Sequence, residues 1–304
     1  MSLCLSCSMP MQGEGGEHHR ACLRDLLGID VVPKIDVDLA RLHTLALAMA
    51  GRVSVSGMQK KLSVRLDDRR ATLQVASEQG RWLLKPQAGT FPNLPENEWV
   101  TQRLAARFSL EVPPCALVRL ADDSWAYLVR RFDRLEAGTK LGMEDFCQLA
   151  EELPSGKYSG TAERCAKIVR RHASEPLVDL ARLFAQFVFA WWVGNGDMHL
   201  KNLALLRGTD GRWRLSPVFD QLNTRLVLPD DALALPVCGK RDKLRTETFF
   251  ELARHIGLGQ RTAESILAQR ASLLAEATAF VANSPLPAAM RDDYVRLLDE
   301  RSRL

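Results

Sequence analysis

From residue 194 the chain reads Gly-Asn-Gly-Asp-Met-His-Leu-Lys-Asn, and from residue 217 it reads Pro-Val-Phe-Asp. This stretch places an aspartate, Asp197, then an asparagine five residues later, Asn202, and then Asp220 at the end of an apolar run. Carboxylate and carboxamide oxygens are ligands that suit Mg²⁺. Phosphoryl transfer needs an acceptor held in line and metal ions that absorb charge on the phosphates. The stretch therefore predicts a site for metal-assisted phosphoryl transfer.

Protein kinases use this order of side chains, with a catalytic-loop aspartate at the acceptor hydroxyl and a later asparagine and aspartate on metal. We therefore expect Asp197 to be the catalytic base, and Asn202 and Asp220 to hold magnesium. Taken alone, Asp197 would read equally well as a turn residue. The spacing to Asn202 favours catalysis. We expect His199 to fix the loop by hydrogen bonds rather than to bind metal.

Strand patterns dominate the chain up to about residue 132, and helical patterns dominate after it. Alternating runs predict strands at 53–55, 61–66, 72–76, 82–85, 115–120 and 125–131, with helices at 36–50 and 95–108. Further helices are expected at 145–153, 162–172 and 177–193, and three more after residue 246. Residues 203–207 and 213–216 predict a β-hairpin. We predict an α+β, two-lobed protein-kinase-like fold with a Cys/His knuckle (1–30), a β-rich N-lobe (31–132) and a mainly helical C-lobe (133–304).

Lys85 ends a strand of apolar residues, where a lysine is costly unless its ammonium group meets an anion. The phosphates of ATP, together with Glu98 or Glu96 of the next helix, would supply that anion. A lysine whose charge reaches solvent at the strand end is the alternative.

Two loops are candidate nucleotide contacts. Backbone N–H groups of the loop that carries Ser54, Ser56 and Gly57 would cradle phosphates, although an ordinary hairpin turn fits the same residues. Arg130 and Phe132 lie where a hinge between two lobes would offer backbone groups to adenine. A solvated linker is the alternative for that segment.

The N-terminal cysteines have the ligand types of a structural zinc site. Cys4 and Cys7 form a CxxC pair, and Cys22 follows two histidines. We choose His19 over its neighbour as the fourth ligand, because its spacing to Cys22 mirrors that of the CxxC pair. Reduced free thiols or a metal-free knuckle remain alternatives. The other four of the seven cysteines are scattered among apolar residues and predict buried thiols.

The bulk composition is that of an ordinary globular protein, with 304 residues, 46% of them apolar, and a net charge of +4. The charge is too small to argue for direct DNA binding. The longest strongly apolar run is too short to span a bilayer, and no signal peptide opens the chain. We therefore expect a cytoplasmic protein without membrane contact.

Together these motifs resemble the HipA family of bacterial serine/threonine kinase toxins. The resemblance runs from Ser54 to about Ile256 and includes the segments at 54–62, 84–86, 91–98, 131–134, 144–148 and 194–202, and around Asp220. It implies a kinase that uses ATP and magnesium, with Lys85 at the phosphates and autophosphorylation in the Ser54/Ser56 loop. The chain is most similar to the short HipT-type kinases.

The resemblance also implies partners. Family targets are aminoacyl-tRNA synthetases, whose phosphorylation stops translation and growth. A separate small antitoxin would supply the N-terminal subdomain that longer members carry, and a helix-turn-helix antitoxin would bring DNA contact only indirectly. A small-molecule kinase and a pseudokinase that serves as a binding module in a repressor complex remain the alternatives.

Overall fold

The computed structural model describes residues 2–11, 16–35, 38–42, 61–67, 69, 71–76, 80–89, 91–135 and 139–304. The chain divides into two compact units. The first contains residues 1–103, 113–138 and 283–286, and the second contains residues 104–112, 139–282 and 287–304. The predicted boundaries at 30 and 132 stay predictions.

A five-stranded antiparallel sheet forms the first unit, in the order β2-β1-β3-β5-β4. Its strands are β1 (Leu62–Asp67), β2 (Thr72–Val75), β3 (Trp82–Pro86), β4 (Cys115–Arg119) and β5 (Trp125–Arg130). Helix α1 spans Arg20–Leu27, and α2 spans Leu94–Arg107 between β3 and β4. This agrees with the predicted β-rich N-lobe. The predicted strand at 53–55 lies outside the described residues, and of the predicted helix at 36–50 only residues 39–42 are described as helical.

One face of the sheet packs against α1. Leu23, Leu26 and Leu27 of the helix share a hydrophobic core with strand residues that include Trp82 and Leu84. The Trp82 indole Nε1 donates a hydrogen bond of 2.9 Å to the Leu26 carbonyl. Since side chains alternate along a strand, Leu83 and Lys85 lie on the opposite face from this core. The pleat of β3 therefore directs Lys85 away from α1.

The second unit is mainly helical, and a buried helix lies at its centre. Helices α3 (Phe146–Leu149), α4 (Ala162–His172), α5 (Pro176–Val193), α6 (Thr246–His255), α7 (Gln260–Ala282) and α8 (Ala288–Arg303) follow in chain order. Within the part of the chain that the structure describes, α5 alone is long and apolar enough to cross a membrane, and 67% of it is buried inside the protein. It is therefore a core helix, as its all-round apolar pattern predicts.

A small three-stranded sheet carries the candidate catalytic segments. Strands β6 (Met143–Asp145), β7 (Ala204–Arg207) and β8 (Trp213–Leu215) pair in that order, and β7 and β8 form the predicted hairpin. The helix predicted at 145–153 is shorter and ends at Leu149, because Glu151 adopts the left-handed region with φ of +58°. Asp145 ends β6 and caps the start of α3. Its side chain accepts from the Gln148 N–H, and the Gln148 side chain accepts from the Asp145 N–H, each at 2.9 Å. This capping box fixes where the helix begins.

Candidate active site

Lys85 and Glu98 form a buried ion pair in the first unit. The Lys85 side chain is 3% exposed and that of Glu98 is 1% exposed, and the ammonium group donates to Glu98 Oε1. The ammonium also lies 5.5 Å from the ring centre of Tyr127, the residue of β5 that pairs with Lys85 of β3. Burial of both charges is costly unless they are paired. A lysine on the third strand paired with a glutamate on the following helix is the arrangement that kinases use at the phosphates.

The structure decides between the two glutamates that the sequence left open. Glu96 accepts a hydrogen bond of 3.0 Å from Asn93 Nδ2, whereas Glu98 reaches Lys85. Burial raises the pKa of the Glu96 carboxyl, although its hydrogen bond with Asn93 acts in the opposite direction. Glu96 therefore helps to hold the start of α2, and Glu98 is the partner of the lysine.

The structure does not test the other predicted nucleotide contacts. Ser54, Ser56 and Gly57 lie outside the described residues. Arg130 ends β5, and its guanidinium donates to the Asp25 carbonyl oxygen at 2.6 Å. Phe132 follows at a turn and is half-buried. The Arg130 side chain therefore ties the sheet to the end of α1, and a contact between this segment and adenine stays a prediction.

The loop that carries Asp197 begins where α5 ends. Gly194 caps the helix in the left-handed region, with φ of +78°, which a residue with a Cβ adopts only with strain. Asn195 Oδ1 then accepts from the Asp197 N–H at 3.0 Å. The Asp197 carbonyl oxygen accepts from the His199 N–H and from Asn202 Nδ2, both at 2.8 Å. The local sequence therefore closes a tight turn that holds Asp197 and Asn202 side by side.

A tyrosine that sequence reasoning missed positions the Asp197 carboxylate. The Tyr158 hydroxyl donates to Asp197 Oδ1 at 2.8 Å. Burial raises the pKa of Tyr158, and the carboxylate adds to this effect, so the phenol keeps its proton and remains a donor. The Asp197 side chain is 39% exposed and is accessible to a substrate. No periodicity or spacing in the sequence marks Tyr158, which lies 39 residues before its partner.

The side chain of His199 lies next to Tyr158 and Asp197. It is buried, its Nε2 lies 4.0 Å from Asp197 Oδ1, and its ring meets that of Tyr158 edge-on at 5.2 Å. Burial lowers the pKa of His199, while the carboxylates of Asp197 and Asp220 act in the opposite direction. Within the described residues its Nδ1 has no hydrogen-bond partner, and its Nε2 lies too far from Asp197 Oδ1 to donate to it. The ring therefore supports the loop by packing, and not by the side-chain hydrogen bonds that we predicted.

Asn202 is the first of the two predicted metal ligands. Its Nδ2 is used by the Asp197 carbonyl, and within the described residues its Oδ1 accepts no hydrogen bond. Asp220 is half-buried with φ of +54°, and its charge acts on the same histidine as that of Asp197. The Asp220 carboxylate and the Asn202 amide oxygen are oxygen donors that fit Mg²⁺. The residues present therefore fit the predicted metal.

Hydrogen bonds connect the loop that carries Asp197 to the segments that carry Asp220 and Asp231. Asn195 Nδ2 donates to Gln221 Oε1 at 3.1 Å, and the Gly196 N–H donates to Thr224 Oγ1 at 2.8 Å. The Thr224 hydroxyl contacts the Asp231 carboxylate. A Cβ at Gly196 would lie 2.0 Å from Asp231 Oδ2, so only glycine fits this close approach.

Lys201, which lies between Asp197 and Asn202, forms a structural ion pair. Its ammonium pairs with Asp145 Oδ2 at 2.8 Å, and Asp145 also caps α3. The 3₁₀ turn Leu200–Asn202 is therefore tied to the β6 end of the small sheet. This contact stabilises the position of Asn202 without placing the lysine charge at the metal ligands.

The N-terminal knuckle brings its four predicted ligands together. The ligand atoms of Cys4, Cys7, His19 and Cys22 all lie within 4.8 Å of one another. His19 Nδ1 lies 3.4 Å from the Cys7 sulfur and 3.9 Å from the Cys22 sulfur, close to the separation of about 3.6 Å between a sulfur and a nitrogen on tetrahedral zinc. Its Nε2 lies 3.2 Å from the Pro10 carbonyl, the outer hydrogen bond that orients zinc-bound histidines. These residues fit a structural zinc ion.

The neighbouring histidine has another role, as predicted by the choice of His19. His18 is buried, and its Nδ1 forms a hydrogen bond of 2.9 Å with the Ser6 hydroxyl. The Leu5 carbonyl oxygen accepts from the Leu117 N–H at 3.0 Å, so the knuckle covers the edge strand β4. This cover hinders the pairing of that edge with another chain.

Fold and site together define a two-lobed, kinase-like protein with a lysine–glutamate pair and an acidic catalytic loop. Residues 53–278, more than half of the chain, match the model of the HipA-like C-terminal domain family, and the chain belongs to that family. This confirms the resemblance drawn from the motifs.

Relatives by sequence are described as kinases. "Putative kinase Y4mE" of Sinorhizobium fredii is 33% identical over 187 residues, which cover 59% of this chain and 44% of Y4mE. A protein of Haemophilus influenzae described as "Putative kinase" is 24% identical over 238 residues and covers 68% of each chain. The chain thus spans less than half the length of Y4mE.

Solved structures share the fold. HipA of Shewanella oneidensis MR-1, from a toxin–antitoxin complex with HipB and operator DNA, aligns with a TM-score of 0.71 at 19% identity, over 83% of this chain and 65% of that one. The Helicobacter pylori proinflammatory kinase CtkA aligns with a TM-score of 0.54 at 15% identity, over 83% of this chain and 91% of that one. At these identities the likeness confirms the α+β kinase-like fold.

Proposed function

We propose that this chain is a serine/threonine protein kinase that uses ATP and magnesium and acts as the toxin of a toxin–antitoxin system. The observation that carries the proposal is the arrangement around Asp197. One carboxylate oxygen accepts from Tyr158, the backbone carbonyl orients Asn202, and the side chain stays partly exposed. This is what a catalytic base and an adjacent metal ligand require.

Each residue has a defined task in this proposal. Asp197 accepts the proton of the acceptor hydroxyl through Oδ2, because Tyr158 occupies Oδ1. Asn202 Oδ1 and the Asp220 carboxylate hold magnesium, which neutralises charge on the phosphates when it is bound. Lys85, held by Glu98, binds a phosphate oxygen. His199 stays neutral and keeps the loop in place.

The proposed substrate is a serine of an aminoacyl-tRNA synthetase, in line with the resemblance to HipA-family toxins. Autophosphorylation at Ser54 or Ser56 would regulate the kinase. A phosphoserine adds nearly two negative charges, which would repel the phosphates of ATP from the same loop.

Proposed partners are an antitoxin and, through it, DNA. The HipA neighbour was solved with HipB and operator DNA. For this chain we propose a small antitoxin that resembles the N-terminal subdomain of longer members, a helix-turn-helix antitoxin, or both. We propose a cytoplasmic location and no membrane contact.

The test is incubation of the purified protein with radiolabelled ATP and magnesium, alone and with a panel of aminoacyl-tRNA synthetases. Asp197→Asn is expected to abolish the label. Asp210→Asn is the matched control, because Asp210 lies at the exposed tip of the β7–β8 hairpin in a surface ion pair with Arg214. The double variant Ser54→Ala/Ser56→Ala is expected to lose self-labelling and to keep synthetase labelling.

Each outcome separates the proposal from its alternatives. Label on one synthetase that depends on Asp197 supports a protein kinase toxin. Label on small-molecule acceptors with none on protein would identify a small-molecule kinase. If the unaltered protein binds nucleotide but produces no label that depends on Asp197, it is a pseudokinase that serves as a binding module.

We also propose that the knuckle binds structural zinc through Cys4, Cys7, His19 and Cys22. His19→Ala is expected to remove one equivalent of zinc from the purified protein, measured by mass spectrometry of the metal. His18→Ala is the matched control and is expected to keep that zinc, because His18 bonds to Ser6 instead. Equal zinc content in both variants would contradict the assignment.

A further inference from the structure

A second cluster of metal-ligating side chains lies in the second unit, apart from the catalytic loop and the knuckle. The ligand atoms of Glu163, Cys238 and His255 all lie within 4.8 Å of one another. They are far apart in sequence, and the fold brings them together. Cysteine, histidine and carboxylate are the three ligand types that zinc uses in proteins.

Three separate elements supply these side chains. Glu163 belongs to the first turn of α4, and His255 is the last residue of α6. Cys238 lies on the tight turn between Val237 and Lys240, whose backbones bond to each other at 2.8 and 2.9 Å. A site built on two helix ends and a closed turn is held by regular backbone on every side.

The geometry within the cluster suits one cation. The Cys238 sulfur lies 3.8 Å from His255 Nδ1, and zinc in a tetrahedral site holds a sulfur and a nitrogen about 3.6 Å apart. Glu163 Oε1 accepts from the Cys238 N–H at 2.7 Å, which fixes the carboxyl group beside the thiol. A carboxylate has about four lone-pair sites, so the Glu163 carboxyl group keeps acceptor capacity for a metal ion beside this bond.

The charge around Cys238 favours a cation. The carboxylates of Glu163 and Glu251 act on the Cys238 side chain, and the ammonium group of Lys240 opposes them. A net negative field of this kind attracts a metal ion.

We propose that Glu163, Cys238 and His255 form a binding site for a divalent transition metal of the zinc class, with one coordination position left open. Three protein ligands with an open fourth position distinguish this site from the four-ligand knuckle. Thiolate and imidazole donors select such metals over magnesium. His255 is exposed, so the open position faces solvent-accessible space.

The site would anchor a segment that supports the catalytic loop. In residues 231–243, Asp231 contacts Thr224, and the Arg241 guanidinium donates to the Tyr158 carbonyl at 3.5 Å. The Pro236 carbonyl accepts from the Ala162 N–H at 3.0 Å. A metal at Cys238 would fasten this segment to α4 and α6 together.

The experiment is metal analysis of the full chain, produced in medium supplemented with zinc or with cobalt. Two equivalents of zinc are expected for the unaltered protein, one at each site. Cys238→Ser and His255→Ala are each expected to lower the content to one equivalent. His172→Ala is the matched control for His255→Ala, because it also changes the last residue of a helix but lies outside both clusters.

Cobalt absorption gives a second readout. Three thiolates in the knuckle and one at Cys238 would contribute sulfur-to-cobalt charge transfer, so Cys238→Ser is expected to remove about a quarter of its intensity. His255→Ala keeps the test decisive if the cysteine variant fails to fold, because the exposed helix end tolerates alanine. A zinc content that neither Cys238→Ser nor His255→Ala lowers below that of the unaltered protein would overturn the proposal.

Discussion

Replacement of Glu98 by glutamine tests the ion pair that we assign to phosphate binding. Glu98 and Lys85 are 1% and 3% exposed, so water cannot replace the lost carboxylate charge. Removing one partner of a buried pair costs about 3–5 kcal/mol. Glutamine still offers an oxygen to the ammonium group, so we expect Glu98→Gln to lower the free energy of unfolding by about 3 kcal/mol.

Glu96→Gln is the matched control on the same helix. Glu96 is also buried, but burial already raises the pKa of its carboxyl, and its partner is the neutral amide of Asn93. Glutamine keeps an acceptor for that amide. We therefore expect a loss below about 1 kcal/mol.

A double-mutant cycle separates the pair from its surroundings. Lys85→Met removes the ammonium and is also expected to destabilise, whereas Lys85→Met/Glu98→Leu leaves no unpaired charge in the apolar site. The double variant should lose at least about 2 kcal/mol less than the sum of its two single variants.

The assay is urea unfolding followed by circular dichroism and tryptophan fluorescence, with ATP binding measured in parallel by calorimetry. Glu98→Gln should weaken ATP binding and Glu96→Gln should not. Equal losses of stability for the two glutamine variants, or additive losses in the cycle, would refute the assignment of Glu98 as the partner of Lys85.

Three further predictions concern the second unit. Tyr158→Phe removes the hydrogen bond to the partly exposed Asp197 carboxylate. A hydrogen bond to a charged acceptor contributes about 1.5 kcal/mol at the lower end of its range, so kcat for phosphoryl transfer should fall roughly tenfold while KM for ATP stays unchanged. An unchanged kcat would exclude a role of Tyr158 in positioning Asp197. Gly196→Ala places a Cβ 2.0 Å from the Asp231 carboxylate and 2.7 Å from the Ala232 carbonyl oxygen, and should lower the free energy of unfolding by at least about 2 kcal/mol. Gly89→Ala is the control, because its Cβ would meet nothing within 4 Å, and it should leave the same urea titration nearly unchanged. Burial raises the pKa of Asp179, so the native state binds the proton more tightly than the unfolded chain, and the free energy of unfolding falls as pH rises above the ordinary value of 3.8. Asp179→Asn should therefore raise the melting temperature at pH 7 and lose this advantage near pH 3. A difference in melting temperature that stays constant across pH would contradict this cause.

Most of the secondary structure could be predicted because its signals are local. Alternation of apolar residues located the strands of the first unit, and the helical period located α4, α5 and the three C-terminal helices to within a few residues. The helix predicted at 145–153 was too long. Its start was predicted to within one residue, but it ends at Leu149, before Glu151, whose φ of +58° lies in the left-handed region. The helical period of the sequence does not reveal this backbone conformation.

The candidate site was predictable to the extent that spacing encodes it. Asp197 and Asn202 share one tight loop, so their proximity follows from five residues of chain. The choice between Glu96 and Glu98 did not follow, because both are acidic residues near the start of one helix. Packing of α2 against the sheet decides which of them meets Lys85.

The sequence by itself determined the α+β kinase-like fold, because periodicity and short spacings within single segments carry that signal. From short spacings of the same kind it also predicts the order of the catalytic residues and the knuckle ligands. Only the tertiary structure brought Tyr158 to Asp197, Asp231 to the back of the catalytic loop, and Cys238 to His255. Such contacts join segments whose separation along the chain carries no signal, since they arise only when apolar faces from distant elements are buried together.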